Sequence, residues 1–495
     1  MANERLPLLP LILDGVPPGL RQALRQEGVP AVDRRPGPPE GRFVLFDSRT
    51  GIDEPPAAGQ IAVDVAPLRK QFDEDPFRAL LDERSAHFAW RVAGWTLTER
   101  IARVDKRAVR RRLLERLRAR IERAGGIWLR VSAFPFPYRS ALNFRIDYDQ
   151  YDPHDFDATL QQVAGHEQAT SHFVSGAAYE GAPGALARLR GLDVGSHGYW
   201  HHTYRTAEEN LRNIGRGIQT LQAAGIEPSG FAAPHGRFHR RLLSALETLG
   251  ITHSSEFGLA YDELPFFVAT NLRSVPGDVL QIPVHPVCLG LFLEAAARDS
   301  QDGSRAAGVA VDAAVDGAVE YFDQLVRSRY SRSEPVFLYG HPTGRLGRNP
   351  QVLRRVFQTA SGFGALWKTN FTELARWWRA RDQVRLCVAR RDDRYVVAVN
   401  RAAPGYRLGI EYCRGDHVAL MPLDREVVWF SPSALAYEAR CSRSSVQPVR
   451  IDRPQGIRGR VRQLIDWERV TPIEEIATGD WRNWAKRTLR RLWDE

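Results

Sequence analysis

The segment Gly195-Ser196-His197-Gly198-Tyr199-Trp200-His201-His202 sets His197 and His201 four residues apart. On one helical turn, or in a tight loop leading into one, both imidazoles can face a single point at metal-ligand distance, about 2.0–2.1 Å for a zinc–nitrogen bond. A metal site needs at least one more ligand. Upstream, Phe144-Arg145-Ile146-Asp147-Tyr148-Asp149 reads as a short strand running into an acidic loop over residues 150–157. Two carboxylates and two imidazoles allow one carboxylate to bind metal while the other moves protons. The plainer alternative is a coincidental histidine pair satisfied by the backbone.

A chain of 495 residues exceeds one ordinary core and predicts two or three domains. Its 43% hydrophobic and 26% charged content is that of a globular protein in water. The formal charge of +10 could point to nucleic acid. However, the excess is nearly all arginine, with lysine only at Lys70, Lys106, Lys368 and Lys486. No stretch interleaves basic and aromatic residues as a single-strand binder does, and no zinc-finger spacing occurs, so nucleic acid is not expected as a partner. Cys288, Cys387, Cys413 and Cys441 are dispersed and suggest neither a thiolate metal site nor a disulfide framework. The apolar residues 6–13 are broken by Pro7 and Pro10 and followed by Asp14, which predicts a strand and not a leader. No run of eighteen apolar residues occurs, so the expected address is cytoplasmic.

Residues 1–95 read as a small α/β unit, with strands near 8–13, 30–32, 43–46 and 61–65 and a helix over 18–26. No glycine-rich phosphate loop follows any of these strands, so a scaffold role is expected. Residues 96–126 read as a connector built on one helix over 98–124, with Ile101, Val104, Leu113, Leu117 and Ile121 on its apolar stripe and Gly125-Gly126 at its end. From 127 to 378 strands and helices alternate, which predicts a mainly parallel sheet wrapped by helices, as a closed or distorted barrel. Chemistry in such folds gathers at the carboxyl ends of strands, where Asp147-Tyr148-Asp149 and His341 fall. Eleven of the thirteen histidines lie between His154 and His341, which concentrates metal and proton-transfer chemistry there.

The ordered series Asp147-x-Asp149, Ala169-Thr170-Ser171-His172-Phe173-Val174, Gly195-Ser196-His197-x-x-x-His201, Phe231-x-x-Pro234-His235-Gly236 and Leu338-x-x-His341-Pro342 resembles the polysaccharide deacetylases. These carry the NodB-homology domain of carbohydrate esterase family four, and the resemblance covers roughly residues 130–375. It implies a distorted (β/α) barrel, a divalent metal, commonly zinc, and an N-acetylated glycan substrate. Carried over by motif, His197 and His201 are histidine ligands, Asp149 is the metal-binding carboxylate, Asp147 is the catalytic base, and His341 protonates the leaving amine. The family's two aspartates are adjacent, whereas Tyr148 stands between these two, and the opposite assignment stays open. Strand alternation would still put both carboxylates on one face. Tyr199 or Trp200 would line the cleft in the family; packing is the equal alternative. His285, in Gln281-Ile282-Pro283-Val284-His285-Pro286, reads as structural.

One departure stands out. The family's third motif usually begins with an arginine that orients the catalytic aspartate, and Ala232 occupies that position. Arg145 or Arg237 could replace it. Otherwise the chain would be a weak or inactive deacetylase-fold glycan-binding protein, and a C–N hydrolase of a non-sugar amide is the remaining alternative.

Beyond Trp378 short strands recur at regular spacing, which predicts a small β-sandwich over 379–441. A tail over 442–495 ends in an amphipathic helix capped by Asp480. Trp481, Trp484, Ala485, Thr488, Leu489, Leu492 and Trp493 share one face, opposite Arg482, Lys486, Arg487, Arg490 and Arg491. Two readings fit: a helix docked on its own domain, or an interfacial helix giving peripheral contact with the inner membrane.

Overall fold

The computed structural model describes residues 6–51, 55–269, 277–301, 306–399, 405–439, 448–451 and 456–493. At the amino end, β1 (Leu11–Asp14), β2 (Ala31–Asp33), β3 (Phe43–Phe46) and β4 (Ile61–Asp64) form a parallel sheet in the order β2-β1-β3-β4. The helix Pro18–Glu27 links the first two strands and ends at Gly28, whose φ of 81° is the left-handed cap that glycine adopts without strain.

The connector differs from expectation. Residues 98–102 are not helical: β5 (Ser85–Val92) and β6 (Trp95–Ala102) form an antiparallel hairpin, and the helix begins only at Lys106 and runs to Arg123. The turn is Ala93-Gly94, both at positive φ (49° and 82°), the twist that a two-residue hairpin requires. Ile101 therefore faces the core from a strand, and Asp105 starts the helix by accepting from the Ala108 amide. The next strand, β7 (Trp128–Val131), also departs from its expected place. It pairs antiparallel with a strand at Gly409–Arg414 instead of joining the central sheet. Arg130 and Glu411 stand opposite each other in that register, and their side chains form a buried ion pair at 2.5 Å.

The central sheet has nine strands. After β7 come β8 (Ser140–Tyr148), β9 (Thr170–Val174), β10 (Val194–Ser196), β11 (Gly230–Ala232), β12 (His253–Ser255), β13 (Phe266–Phe267), β14 (Leu280–Gln281), β15 (Val336–Gly340) and β16 (Leu366–Lys368). Their order is β13-β14-β12-β11-β10-β9-β8-β15, with β16 also on β8, and every pairing is parallel except β13 with β14. No pairing among the described residues joins β15 to β13, so the sheet is a curled, open half-barrel and not a closed barrel. All nine residues of β8 are buried, as expected of a strand covered on both faces.

Downstream, β17 (Leu386–Arg391), β18 (Arg394–Val399) and β21 (Val427–Phe430) form one antiparallel sheet. β19 (Gly409–Arg414), β20 (His417–Pro422) and β22 (Glu438–Ala439) join β7 in another. The rings of Tyr395, Tyr412 and Phe430 meet between the two sheets. The expected boundary at residue 441, and Cys441 itself, lie outside the described residues; Cys288, Cys387 and Cys413 are free thiols. One apolar core runs from Leu8 through Phe144 and Trp377 to Phe430, so extra sheets at both ends are packed onto the half-barrel. No helix among the described residues is long and apolar enough to cross a membrane.

Tyr148 points away from the site side of β8 into a buried aromatic group with Phe156 and Tyr179, and its hydroxyl meets Nδ1 of His172 at 2.9 Å. Burial pushes the His172 imidazole down to about 4, against the opposing pull of Asp193 and Glu167. As the pH falls from about 6.5 to about 4, the unfolded chain takes up a proton that the folded ring refuses, so stability is lost in that window. The slope is about 1.4 kcal/mol per pH unit for this one group. His172→Gln, which keeps hydrogen-bonding capacity without titrating, should flatten the acid limb of a urea-unfolding series by about that slope; an unchanged limb would show that His172 is not the group responsible.

Candidate metal centre and catalytic residues

Each candidate residue comes from the carboxyl end of a strand. Asp149 follows β8 by one residue, His197 follows β10 directly, and His341 follows β15 directly. His201 lies in the loop after β10, which is tied down at its far end by a side-chain N-cap. Thr206 accepts from the Glu209 amide and donates to the Glu209 carboxylate, starting the helix Ala207–Ala223. The histidines therefore sit in a tight loop leading into a helix. Asn213 holds the middle of this loop, accepting from the Trp200 amide at 2.7 Å and donating to the Trp200 carbonyl at 3.0 Å.

The three ligand candidates converge. Nε2 of His197 and Nε2 of His201 are 3.1 Å apart, and each is 3.2 Å from Oδ1 of Asp149. A tetrahedral ion with bonds of about 2.0–2.1 Å has ligand atoms about 3.3 Å apart, so the three atoms already mark one face of such a site. Their protonation points the same way. Nδ1 of His197 lies 2.7 Å from the carbonyl oxygen of Ala232 and so carries the proton, leaving the lone pair on Nε2. Apart from these two imidazoles, Oδ1 of Asp149 has no hydrogen-bond partner among the described residues. While His197 is neutral, a proton on Nε2 of His201 satisfies only one of its two contacts, whereas a cation among the three atoms would take every lone pair. The residues therefore fit a divalent metal.

The local potential suits a cation. Burial opposes the charge on Asp149, yet His341, His197 and His201 overcome it and hold the carboxyl well below the usual carboxylate range. Burial likewise disfavours the His197 imidazolium, but Asp147 and Asp149 outweigh it and raise this group.

Asp147 lies two residues before Asp149 on the same face of the strand line, and the intervening Tyr148 side chain goes to the opposite side, as alternation requires. Its Oδ2 accepts from Arg145 at 2.7 Å, while its Oδ1 is buried with no hydrogen-bond partner among the described residues. Arg145 is itself fixed, donating from its other terminal nitrogen to the carbonyl and hydroxyl of Ser255 at 2.8 and 3.0 Å. Its guanidinium also lies over the Tyr339 ring. The cation missing at Ala232 is thus supplied from the aspartate's own strand by Arg145; Arg237 is not hydrogen-bonded to Asp147.

His341 brings Nε2 to 3.5 Å from Oδ2 of Asp149, and its Nδ1 is buried with no hydrogen-bond partner among the described residues. Burial pushes it down to about 4, with Asp149 opposing and Arg345 reinforcing the fall. The sequence did not single out Glu256, one residue past β12. It is fully buried, accepts from Ser254 at 2.8 Å, and is pushed up to about 7 by burial against the pull of Ser254, Arg145 and Lys106. Its only sequence signal was its place after a strand.

The other candidates go elsewhere. Both ring nitrogens of His285 are used, by Asp262 at 2.8 Å and by the Tyr321 hydroxyl at 2.7 Å, which fits a structural residue. Tyr199 is buried, donates to Glu180 and lies under Arg216, so it packs. Trp200 donates to Glu475. His235 stacks edge-on against His201, ring centres 4.7 Å apart.

Fold and site together define a half-barrel with a candidate Asp-His-His metal group at its carboxyl rim. Residues 145–254 match the family model described as polysaccharide deacetylase. No curated protein matches the chain. Among solved structures, it is similar to a Mycobacterium smegmatis protein assigned to the polysaccharide deacetylases, at 18% identity and a TM-score of 0.39 over 52% of this chain and 96% of that one. It is also similar to the allantoinase PuuE, at 16% identity and 0.38 over 50% and 92%. A third similar structure is a family-four pseudoenzyme from Bacillus anthracis, at 13% identity and 0.31 over 48% and 66%.

Purified protein dialysed against a divalent metal should retain about one ion per chain, and His197→Ala or His201→Ala should lose it, with affinity falling at least about 100-fold. Asp147→Asn should keep its ion. Equal metal content in all four proteins would place the ion elsewhere.

Proposed function

We propose that this protein is a metal-dependent deacetylase that hydrolyses the N-acetyl group of an acetylated sugar in a polysaccharide or lipid-linked glycan. The observation that carries the reading is the convergence of Asp149, His197 and His201 on one point, beside an aspartate with one oxygen held by Arg145 and the other free. Those three residues would hold the ion, with zinc the metal their donor set favours. When bound, a divalent cation supplies Lewis acidity toward the acetyl carbonyl and toward water.

The protein's own side chains supply the rest. An amide resists attack because its nitrogen is a poor leaving group, so a proton must be taken from the attacking water and another given to the departing amine. Asp147 is placed to take the first. Arg145 keeps its rotamer fixed and leaves Oδ1 for the proton. His341, across Asp149, is placed to give the second. Burial lowers the His341 imidazole to about 4, so it rests neutral at physiological pH, and the proton it gives to the amine is replaced by the second proton of the attacking water, the first having gone to Asp147.

Ala232 favoured a binding protein without turnover, and the Arg145–Asp147 pair weighs against it. The amide is not fixed by the fold, so a non-sugar substrate is tested directly by comparing acetate release from an N-acetylated oligosaccharide with release from small non-sugar acetamides. On the sugar, Asp147→Asn should lower kcat by about 100- to 1,000-fold with bound metal retained. Arg145→Ala should lower it by about tenfold or more and cost about 3–5 kcal/mol of stability, because the Asp147 charge stays buried without a partner. Wild-type protein that binds metal and oligosaccharide yet releases no acetate would overturn the hydrolytic reading in favour of binding alone.

A further inference from the structure

The terminal helix Trp481–Trp493 is seated the opposite way round from an ordinary docked amphipathic helix. Its buried residues are Asn483, Lys486 and Arg490, which spacing places on one face. Lys486 is only 1% exposed. Its ammonium lies 3.6 Å from Glu468, the Arg490 guanidinium donates to the Thr471 carbonyl at 2.6 Å, and Asn483 donates to Glu209 at 2.9 Å. The apolar face is turned outward: Trp481 is 58% exposed, Trp484 67% and Leu492 65%. The Trp493 side chain lies outside the described residues. A helix held by the hydrophobic effect would bury its tryptophans and solvate its lysine. Here polar contacts to Glu468, Thr471 and Glu209 hold the basic face down and present the aromatic one.

Arginines border the outward face. Arg491 is exposed at the edge of that face, and Arg482 lies against the Trp481 ring. The preceding helix Ile457–Leu464 repeats the composition, with Ile457, Val461 and Leu464 exposed alongside Arg458, Arg460 and Arg462. Tryptophan with arginine suits the headgroup layer of a bilayer, where an amphipathic ring sits at the water boundary and a guanidinium meets phosphate. The net charge of +10 adds attraction for an anionic surface.

We infer that the outward Trp481–Trp484–Leu492 face of the terminal helix docks the protein onto the surface of an anionic lipid bilayer. The same tail reaches the metal loop. Asp466 accepts from the Arg205 amide at 3.1 Å and lies 3.4 Å from Nε2 of His202, the residue after His201. The tail that carries the docking helix therefore also packs, through Asp466, against the residues just after the two histidines. This rests on the deacetylase reading only for what the membrane would carry, a lipid-linked glycan; docking itself is measured without turnover.

The test is co-sedimentation of full-length protein with phosphatidylglycerol vesicles and with phosphatidylcholine vesicles, for wild type and for W481S/W484S. Both sites are exposed, so an unchanged thermal midpoint confirms folding of the variant. The expected result is partition of the wild type onto phosphatidylglycerol that weakens with added salt, falls at least about tenfold in the variant, and is weaker on phosphatidylcholine. Equal partition of the two proteins, or no partition of the wild type, overturns the proposal. A wild-type dimer in light scattering that W481S/W484S converts to monomer also overturns it, because the face would then cover a second copy of the chain. Neither outcome bears on acetate release.

Discussion

Two imidazole nitrogens and a carboxylate oxygen lie within 3.2 Å of one another, an arrangement that one divalent cation could bind through all three lone pairs at once, and the architecture of the site follows from that convergence. Lone pairs brought this close repel unless a proton or a cation lies among them. The structure makes the crowding hard to relax. Asp149 leaves a strand buried along its whole length, His197 is tied through Nδ1 to the neighbouring strand, and the loop carrying His201 is held by Asn213 and the Thr206–Glu209 cap. Preorganisation of this kind sets the ligands in place before an ion arrives, which favours a metal of tetrahedral preference.

The second constraint is Asp147. A carboxylate that is 1% exposed needs a partner, and the usual one would come from the position of Ala232. Arg145 solves the same problem from two residues away on β8, because alternation puts both side chains on one face. It also ties β8 to the end of β12 through Ser255. Ala232 contributes differently, through its backbone carbonyl, which fixes the His197 tautomer. Asp147 thus stays anchored although the residue that usually anchors it has moved.

Much of the site was legible because its signals are local. The i, i+4 histidines and the i, i+2 aspartates are short-range spacings, and both survive folding unchanged. The elements misread were those decided by distant or unusual partners. Ile101 fell in step with the stripe of Leu113, Leu117 and Ile121 and so read as helix; the hairpin turn that claims it for a strand places Ala93 at positive φ, a conformation alanine seldom signals. Trp128–Val131 reads correctly as a strand, but its partner lies some 280 residues away and only the Arg130–Glu411 pair reveals it. The terminal helix was recognisable from its 3.6-residue pattern. Which face it buries was not, because that is decided by Glu468 and Thr471, whose positions depend on the tertiary fold.

The central claim is that Asp149, His197 and His201 share one divalent ion, and X-ray absorption at the edge of the bound metal tests it most directly. The account predicts a shell of nitrogen and oxygen at about 2.0–2.1 Å, with the outer-shell scattering of two imidazoles that His197→Ala reduces to one. A sphere containing sulfur at about 2.3 Å, or one with no imidazole scattering, would contradict it.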